Sequence, residues 1–293
     1  MSPYKPRIGF IGLGNMGTPM SRRLLEAGYA VTGTDLAAAN RQRLAEAGGT
    51  AVETATEVAA GSDVLILMLP NSDVVETVLH DGGVAAALPP AAVIVDMSSS
   101  EPLRTRALAA KLAADGLARL VDAPVSGGVG GAEKGTLTIM TGGDLDTVAE
   151  LADVLAVLGR VRHTGAVGSG HALKALNNLL SATHLLATSE AMVAGQEFGL
   201  DPSTMLEVFN ASSGRSGSTE SKWPNFVLPG GYDSGFGLGL MLKDMRIATD
   251  LADGMGRPSR LGSRAVDLWS EAYGELNPGA DHTEIARWVG HTS

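Results

Sequence analysis

An apolar run, Ile8-Gly9-Phe10-Ile11, leads straight into glycines spaced G-x-G-x-x-G at Gly12, Gly14 and Gly17. Helix-like sequence follows, from Thr18 to about Ala27. A strand, a tight turn and a helix in that order leave each glycine a separate task. Gly12 permits the turn off the strand, Gly14 lets a pyrophosphate approach the backbone, and Gly17 lets the helix pack closely. The free N–H groups and positive dipole end of that helix then face the anion. A second strand, Ala30 to Thr34, ends at Asp35, 23 residues after Gly12. An acid at about that distance grips the hydroxyls of an adenosine ribose. The segment reads as a dinucleotide site, with Gly12, Leu13, Gly14, Asn15, Met16, Gly17 and Asp35 as its contacts.

The first half continues in the same alternation. Further strands are expected at Val64–Leu69, Val93–Asp96, Leu120–Pro124 and Thr138–Thr141, with helices between them at Ala37–Ala47, Asp73–Leu79 and Leu103–Asp115. Strand and helix in repeated alternation imply a mostly parallel sheet covered on both faces. Beyond the glycine-rich stretch 165–170 the pattern becomes helical. A helix from His171 to Phe198 carries an apolar stripe of Leu173, Leu176, Leu180, Leu185 and Met192. At ~28 residues it would be ~42 Å long, more than one small domain needs. More helices are expected at Pro202–Ala211, Leu240–Met255, Arg257–Glu275 and His282–Gly290. The expected class is α/β: a Rossmann-type, doubly wound parallel sheet over residues 1–165, then an all-α domain over residues 166–293, joined by a long interdomain helix.

Composition excludes several functions. A net charge of −10 disfavours nucleic acid and anionic membranes as partners. The absence of cysteine removes disulfides, thiolate metal sites and a cysteine nucleophile together. No histidine pair shows metal-ligand spacing, so no metal is expected. No apolar run reaches the ~18 residues of a membrane span. The start Met-Ser-Pro-Tyr-Lys-Pro-Arg runs directly into the first strand, which leaves no room for a signal peptide and makes the cytoplasm the expected location.

In a doubly wound sheet, ligands bind beyond the carboxyl ends of the strands. Four loops fall there: Leu69-Pro70-Asn71, Asp96-Met97-Ser98-Ser99, Asp122 to Gly128, and the glycine-rich connection to Lys134-Gly135-Thr136. Each alone reads as an ordinary turn. Four at one edge point to function. Ser126 with the amides of Gly127 and Gly128 forms a nest suited to a carboxylate.

The long helix opens with His171, Lys174, Asn177 and Asn178. Positions 171, 174 and 178 share one face. A helical lysine ordinarily points into water, but one followed by two asparagines beside the expected cleft is a candidate for proton transfer. Lysine performs that task when burial or a nearby cation brings its pKa towards operating pH. His171 competes for the role, although a polar cap of the helix start is its plainer reading. His184 reads as a packed core residue. Lys243 shares helical spacing with Phe236 and Leu240, and needs Asp244, another acid or a bound anion as partner.

Together these segments resemble the β-hydroxyacid dehydrogenase family, and within it the branch acting on 3-hydroxyisobutyrate, from Ile8 to about Val289. Gly12 to Gly17 is similar to the family's nucleotide loop. Asp96-Met97-Ser98-Ser99-Ser100-Glu101-Pro102 is similar to its D-x-S-T-x-x-P segment, with serine at 99 where threonine is common. The resemblance implies that Leu69, Pro70, Asn71 and Ser98 also contact the cofactor. It implies that Ser126, Gly127 and Gly128 bind the substrate carboxylate, that Lys174 transfers the proton and that Asn178 holds substrate. The stretch from Phe236 to Asp244 is similar to the family's F-x-x-x-L-x-x-K-D, which implies that Lys243 contacts substrate or cofactor. Asn210 to Ser216 also resembles the 3-hydroxyisobutyrate branch, and the pocket floor is expected among Val125, Trp223, Phe226 and Phe236.

Asp35 is followed by Leu36 rather than arginine, so NAD is favoured over NADP: the carboxylate repels a 2′-phosphate. Arg41 and Arg43 are expected to face solvent. The resulting expectation is oxidation of a small 3-hydroxy acid to its semialdehyde by a homodimer or homotetramer. Alternatives on the same scaffold are semialdehyde reduction of the tartronate type, serine 3-dehydrogenation, imine reduction, or a cofactor-binding interaction protein without activity.

Overall fold

β1 (Ile8–Ile11) is buried along its whole length and lies inside the sheet, third from one edge. The computed structural model describes residues 5–291. On one side of β1 lie β2 (Val31–Thr34) and β3 (Thr50–Ala51). On the other lie β4 (Val64–Leu67), β5 (Val93–Asp96) and β6 (Arg119–Asp122), all parallel. Beyond β6, β7 (Val125–Ser126) and β6 itself run antiparallel to β8 (Leu137–Gly142), and β9 (Gly159–Gly165) lies parallel to β8.

The central strands are continuous apolar runs because both faces are covered. Their side chains alternate between two cores. Phe10, Ile66, Val95 and Val121 enter one, while Leu65, Leu67, Ile94 and Leu120 enter the other. The six expected strands are all present, two with the expected ends and four with ends moved by one or two residues. Three more lie outside the sequence expectation. The sequence of β9, Gly-Arg-Val-Arg-His-Thr-Gly, is half exposed at the sheet's margin and offers no run of buried apolar residues to read. The two-residue strands β3 and β7 are too short for any periodicity.

Chain contacts divide the molecule into two compact units, one ending at Lys174 and the other beginning at Ala175, where the sequence pattern suggests a change near residue 165. Helix α1 (Gly17–Glu26) follows the glycine loop and α2 (Pro102–Ala114) follows β5. Helix α3 (Ser169–Phe198) spans 30 residues, or about 45 Å at 1.5 Å per residue. The second unit continues through α4 (Pro202–Asn210), a wide π-type turn (Ser218–Val227), α5 (Leu238–Gly254), α6 (Arg260–Glu275) and α7 (Ile285–His291). Its core gathers Leu185, Met192, Trp223, Met245, Trp269 and Ile285. Among the described residues, no helix is long and apolar enough to cross a membrane.

The apolar stripe expected on α3 divides. Leu185 and Met192 are buried, but Leu173, Leu176 and Leu180 are 46%, 41% and 59% exposed. The buried row is instead Ala175, Leu179, Ala182 and Leu186. Both rows have helical spacing, so the period cannot choose between them. His184, expected in the core, is exposed.

Candidate active site

The nucleotide loop emerges from β1 where the strand order reverses between β1 and β4, the usual place for a ligand in such sheets. Gly12 has a φ of +97°, and a side chain there would strike the Met68 carbonyl after β4. A side chain at Gly17 would strike the Gly12 carbonyl. At Gly14 a methyl group would meet nothing within 4 Å, so the loop is open where a pyrophosphate must approach. Asp35 is fixed at the end of β2 by two backbone donors: Leu13 N–H to Oδ2 at 2.7 Å and Ala37 N–H to Oδ1 at 2.8 Å. Each oxygen keeps a lone pair for a ribose diol. These residues fit a dinucleotide.

Arg41 departs from expectation. Its side chain is only 17% exposed: Nη1 donates to the Asp35 carbonyl at 2.6 Å, and Nη2 pairs with Glu53 at 3.0 Å. An arginine drawn back onto the chain and neutralised by Glu53 is poorly disposed to hold a phosphate, which favours the unphosphorylated ribose. Asn71 caps the helix Ser72–Glu76 by accepting from Val74 N–H at 3.0 Å. Ser98 is fully buried, and its hydroxyl accepts from Leu69 N–H at 2.9 Å. Ser98 thus ties the loop after β4 to the loop after β5. Pro70 is exposed between them.

Ser126 ends β7, paired with Thr138 of β8. The next two residues, Gly127 and Gly128, have φ of +132° and +61° and are exposed. Two successive backbones in this region suit only glycine. The connection that follows is a short helix, Gly128–Lys134, closed by Gly135 at φ +65°. Three glycines within it conceal the helix from propensity.

The start of α3 is anchored by Asp122, the last residue of β6. Its carboxylate is fully buried and accepts from Gly168 N–H at 2.6 Å and His171 N–H at 2.8 Å. Burial pushes the Asp122 pKa up, against the opposing pull of His171 and these N–H groups. The His171 ring does not cap the helix. It is buried, with Nδ1 bonded to Thr105 Oγ1 at 2.9 Å and Nε2 3.8 Å from Asp96 Oδ2. Since the Thr105 hydroxyl donates to the Glu101 carbonyl at 3.1 Å, it receives its hydrogen bond from His171 Nδ1–H. His171 is thereby held within the sheet unit. Lys174, one turn on, is half-buried on the same face of α3.

In the second unit a polar chain crosses from α3 to α5. Asn177 Nδ2 donates to Asn178 Oδ1 at 3.3 Å, and Asn178 Nδ2 donates to Asp244 Oδ2 at 2.7 Å. Lys243 Nζ lies 3.4 Å from Asp244 Oδ1. The partner that spacing required for Lys243 is therefore its neighbour. Asn178 and Asp244 are 5% and 2% exposed, so this amide is held in one orientation. Two expected floor residues, Val125 and Trp223, are buried in the cores of their own units, and the Trp223 indole donates to Ser189. The sequence does not mark the anchoring role of Asp122, nor Asp244 as the support of Asn178. An acid at a strand end or beside a lysine has nothing in its spacing to show that it is buried.

Residues 7–168 match the family described as the NAD binding domain of 6-phosphogluconate dehydrogenase. Residues 168–289 match the family described as NAD-binding of NADP-dependent 3-hydroxyisobutyrate dehydrogenase. The chain is 44% identical over 246 residues to 2-(hydroxymethyl)glutarate dehydrogenase of Eubacterium barkeri, covering 83% of this chain and 81% of the relative. It is 37% identical over 271 residues to the NAD-dependent L-serine dehydrogenase of Pseudomonas aeruginosa, covering 90% and 91%. Among solved structures, 3-hydroxyisobutyrate dehydrogenase of Mycobacterium tuberculosis with L-serine superposes with a TM-score of 0.91 at 33% identity, covering 98% of this chain and 99% of that one.

Proposed function

The chain belongs to the β-hydroxyacid dehydrogenase family, and from that premise we propose that it oxidises the primary alcohol of a small 3-hydroxy acid to a semialdehyde. It is an NAD-dependent oxidoreductase of the 3-hydroxyacid type. The substrates in the names of its relatives, 2-(hydroxymethyl)glutarate, L-serine and 3-hydroxyisobutyrate, share one skeleton. Each has a carboxylate, a carbon bearing a variable group, and a terminal CH₂OH.

NAD supplies the acceptor for a hydride. Neutral Lys174 takes the hydroxyl proton at Nζ while the hydride leaves carbon 3 and the C–O bond becomes a carbonyl. In the reverse direction its ammonium returns the proton. Ser126 with the N–H groups of Gly127 and Gly128 holds the carboxylate. Asn178, its amide positioned by Asp244, holds the substrate oxygen. Lys243, paired with Asp244, adds positive charge for substrate or cofactor. The observation that carries the reading is the anchor on α3: Asp122 holds its first turn to the end of β6, one turn before Lys174. His171, the rival base, is buried and bonded through Nδ1 to Thr105. A homodimer or homotetramer is supported by the exposed row of Leu173, Leu176 and Leu180, which a second copy would cover.

Lys174→Ala should lower kcat by about 10²–10⁴-fold while leaving NAD affinity close to that of the wild type. Near-normal turnover in this variant contradicts the assignment.

A further inference from the structure

Lys222 belongs to neither the nucleotide loop nor the proton-transfer helix. It stands in the wide turn Ser218–Val227, beside the buried Trp223. Its Nζ donates to Ser181 Oγ at 2.7 Å, and among the described residues no carboxylate forms an ion pair with it. Burial lowers its pKa to about 8, with the more distant Asp281 pulling the other way. Asp281 itself is engaged elsewhere, accepting from Ser234, from the N–H groups of Gly235 and Phe236, and from Thr283. An ammonium carries three donors, and a serine oxygen answers one without neutralising the charge. A largely desolvated cation with no bonded counter-ion is costly, and it gains most from an anion brought to it.

Its position gives that anion a meaning. Ser181 follows Asn178 by three residues and Lys174 by seven, so the three lie on one face of α3. Lys174 and Ser181 are about 10 Å apart along the helix axis. An acid held at its alcohol carbon by Lys174, with a second carboxylate on a two-carbon arm at carbon 2, spans about 5 Å over four bonds. The side chains themselves, with a hydrogen bond of about 3 Å at each end, bridge the rest.

We propose that Lys222 and Ser181 form a second anion subsite, which selects 3-hydroxy acids whose carbon-2 substituent ends in a carboxylate. The proposal rests on the dehydrogenase reading above and names its substrate class: branched dicarboxylic acids bearing a CH₂OH group. The substituents of serine and 3-hydroxyisobutyrate, an ammonium or a methyl group attached directly to carbon 2, are too short to reach the subsite and gain nothing from it.

The test is a set of initial rates with NAD for 2-(hydroxymethyl)glutarate, 3-hydroxyisobutyrate and L-serine, in the wild type, Lys222→Met and Lys222→Arg. The wild type should favour the dicarboxylate by at least about tenfold in kcat/KM over 3-hydroxyisobutyrate. Lys222→Met should reduce that ratio by about 30-fold or more, mainly through the KM of the dicarboxylate, and Lys222→Arg should restore part of it. A ratio unmoved by Lys222→Met, or a wild type that prefers the monocarboxylates, overturns the subsite and leaves the dehydrogenase standing. If the wild type oxidises none of the three, the dehydrogenase reading fails instead. Thermal unfolding of the NAD-loaded protein with glutarate then tests the subsite alone: glutarate should raise Tm in the wild type and not in Lys222→Met. Equal shifts in both overturn it.

Discussion

Asp122 shows how one buried carboxylate can connect fold and chemistry. One oxygen receives the N–H of Gly168, just before α3, the other that of His171 in its first turn, and no solvent reaches them. Replacement by alanine leaves two buried donors without partners, a loss of about 1–3 kcal/mol. It also frees the turn that precedes Lys174, and a displacement near 1 Å can cost about 10²-fold in rate. Asp122→Ala should therefore lower kcat by about 10–100-fold with KM changed less than threefold. A wild-type kcat in a variant that has lost this stability would contradict the positioning role. At this scale the sequence is legible in part. Gly12 and Gly17 announce themselves by spacing, because a tight turn and close helix packing leave no room for a side chain, and Asp35 by its place at the end of β2. Asp122, Asp244 and Lys222 do not, because their roles depend on burial and on partners 41 to 66 residues away in the chain. Arg41 escapes the sequence for a related reason: its partner Glu53 lies across a turn that helical spacing does not describe.

At the scale of elements, the turn from β1 into α1 is the most constrained piece. A methyl group at Gly17 collides with the Gly12 carbonyl, which is backbone and cannot rotate away. Gly17→Ala should shift α1 away from the loop and weaken NAD binding by about tenfold or more, read by titration of the cofactor against protein fluorescence. Gly14→Ala, with open space around it, should fold as the wild type does and lose affinity only through contact with the pyrophosphate. Equal binding by wild type and Gly17→Ala would contradict the close packing. Strands β1, β2, β4, β5, β6 and β8 are legible because burial on one or both faces leaves apolar runs or alternation. β9 is not, since a marginal strand needs no such pattern. Helix α3 is legible in length but not in orientation, because it carries leucines on two faces and buries only one.

At the scale of the whole molecule, stability against acid depends in part on Asp281. It joins the segment Ser234–Phe236 to the turn at Thr283. Burial raises its pKa, but hydrogen bonds from His282, Thr283 and Ser234 outweigh that and hold the carboxyl well below the usual range. A carboxyl depressed in the folded state stabilises above its unfolded value, about 3.9, and the stabilisation is lost as falling pH protonates it. Asp281→Asn should cost about 2–3 kcal/mol in urea unfolding at pH 7, with the difference shrinking below about pH 4. A gap that stays constant from pH 7 to pH 3 would contradict the charge-based account of this contact. The two-part architecture itself is visible in the change from alternating strands to continuous helix, whereas the point of division is not, because the first turn of α3 is bonded to the sheet it leaves. The central claim is that a hydride leaves the CH₂OH carbon of a 3-hydroxy acid for NAD. It is tested most directly by incubating the wild-type protein with NAD and 3-hydroxyisobutyrate or 2-(hydroxymethyl)glutarate deuterated at the alcohol carbon, then measuring the reduced nicotinamide by mass spectrometry. One deuterium in the reduced cofactor is the predicted result; reduced cofactor without deuterium, or none formed with either acid, contradicts it.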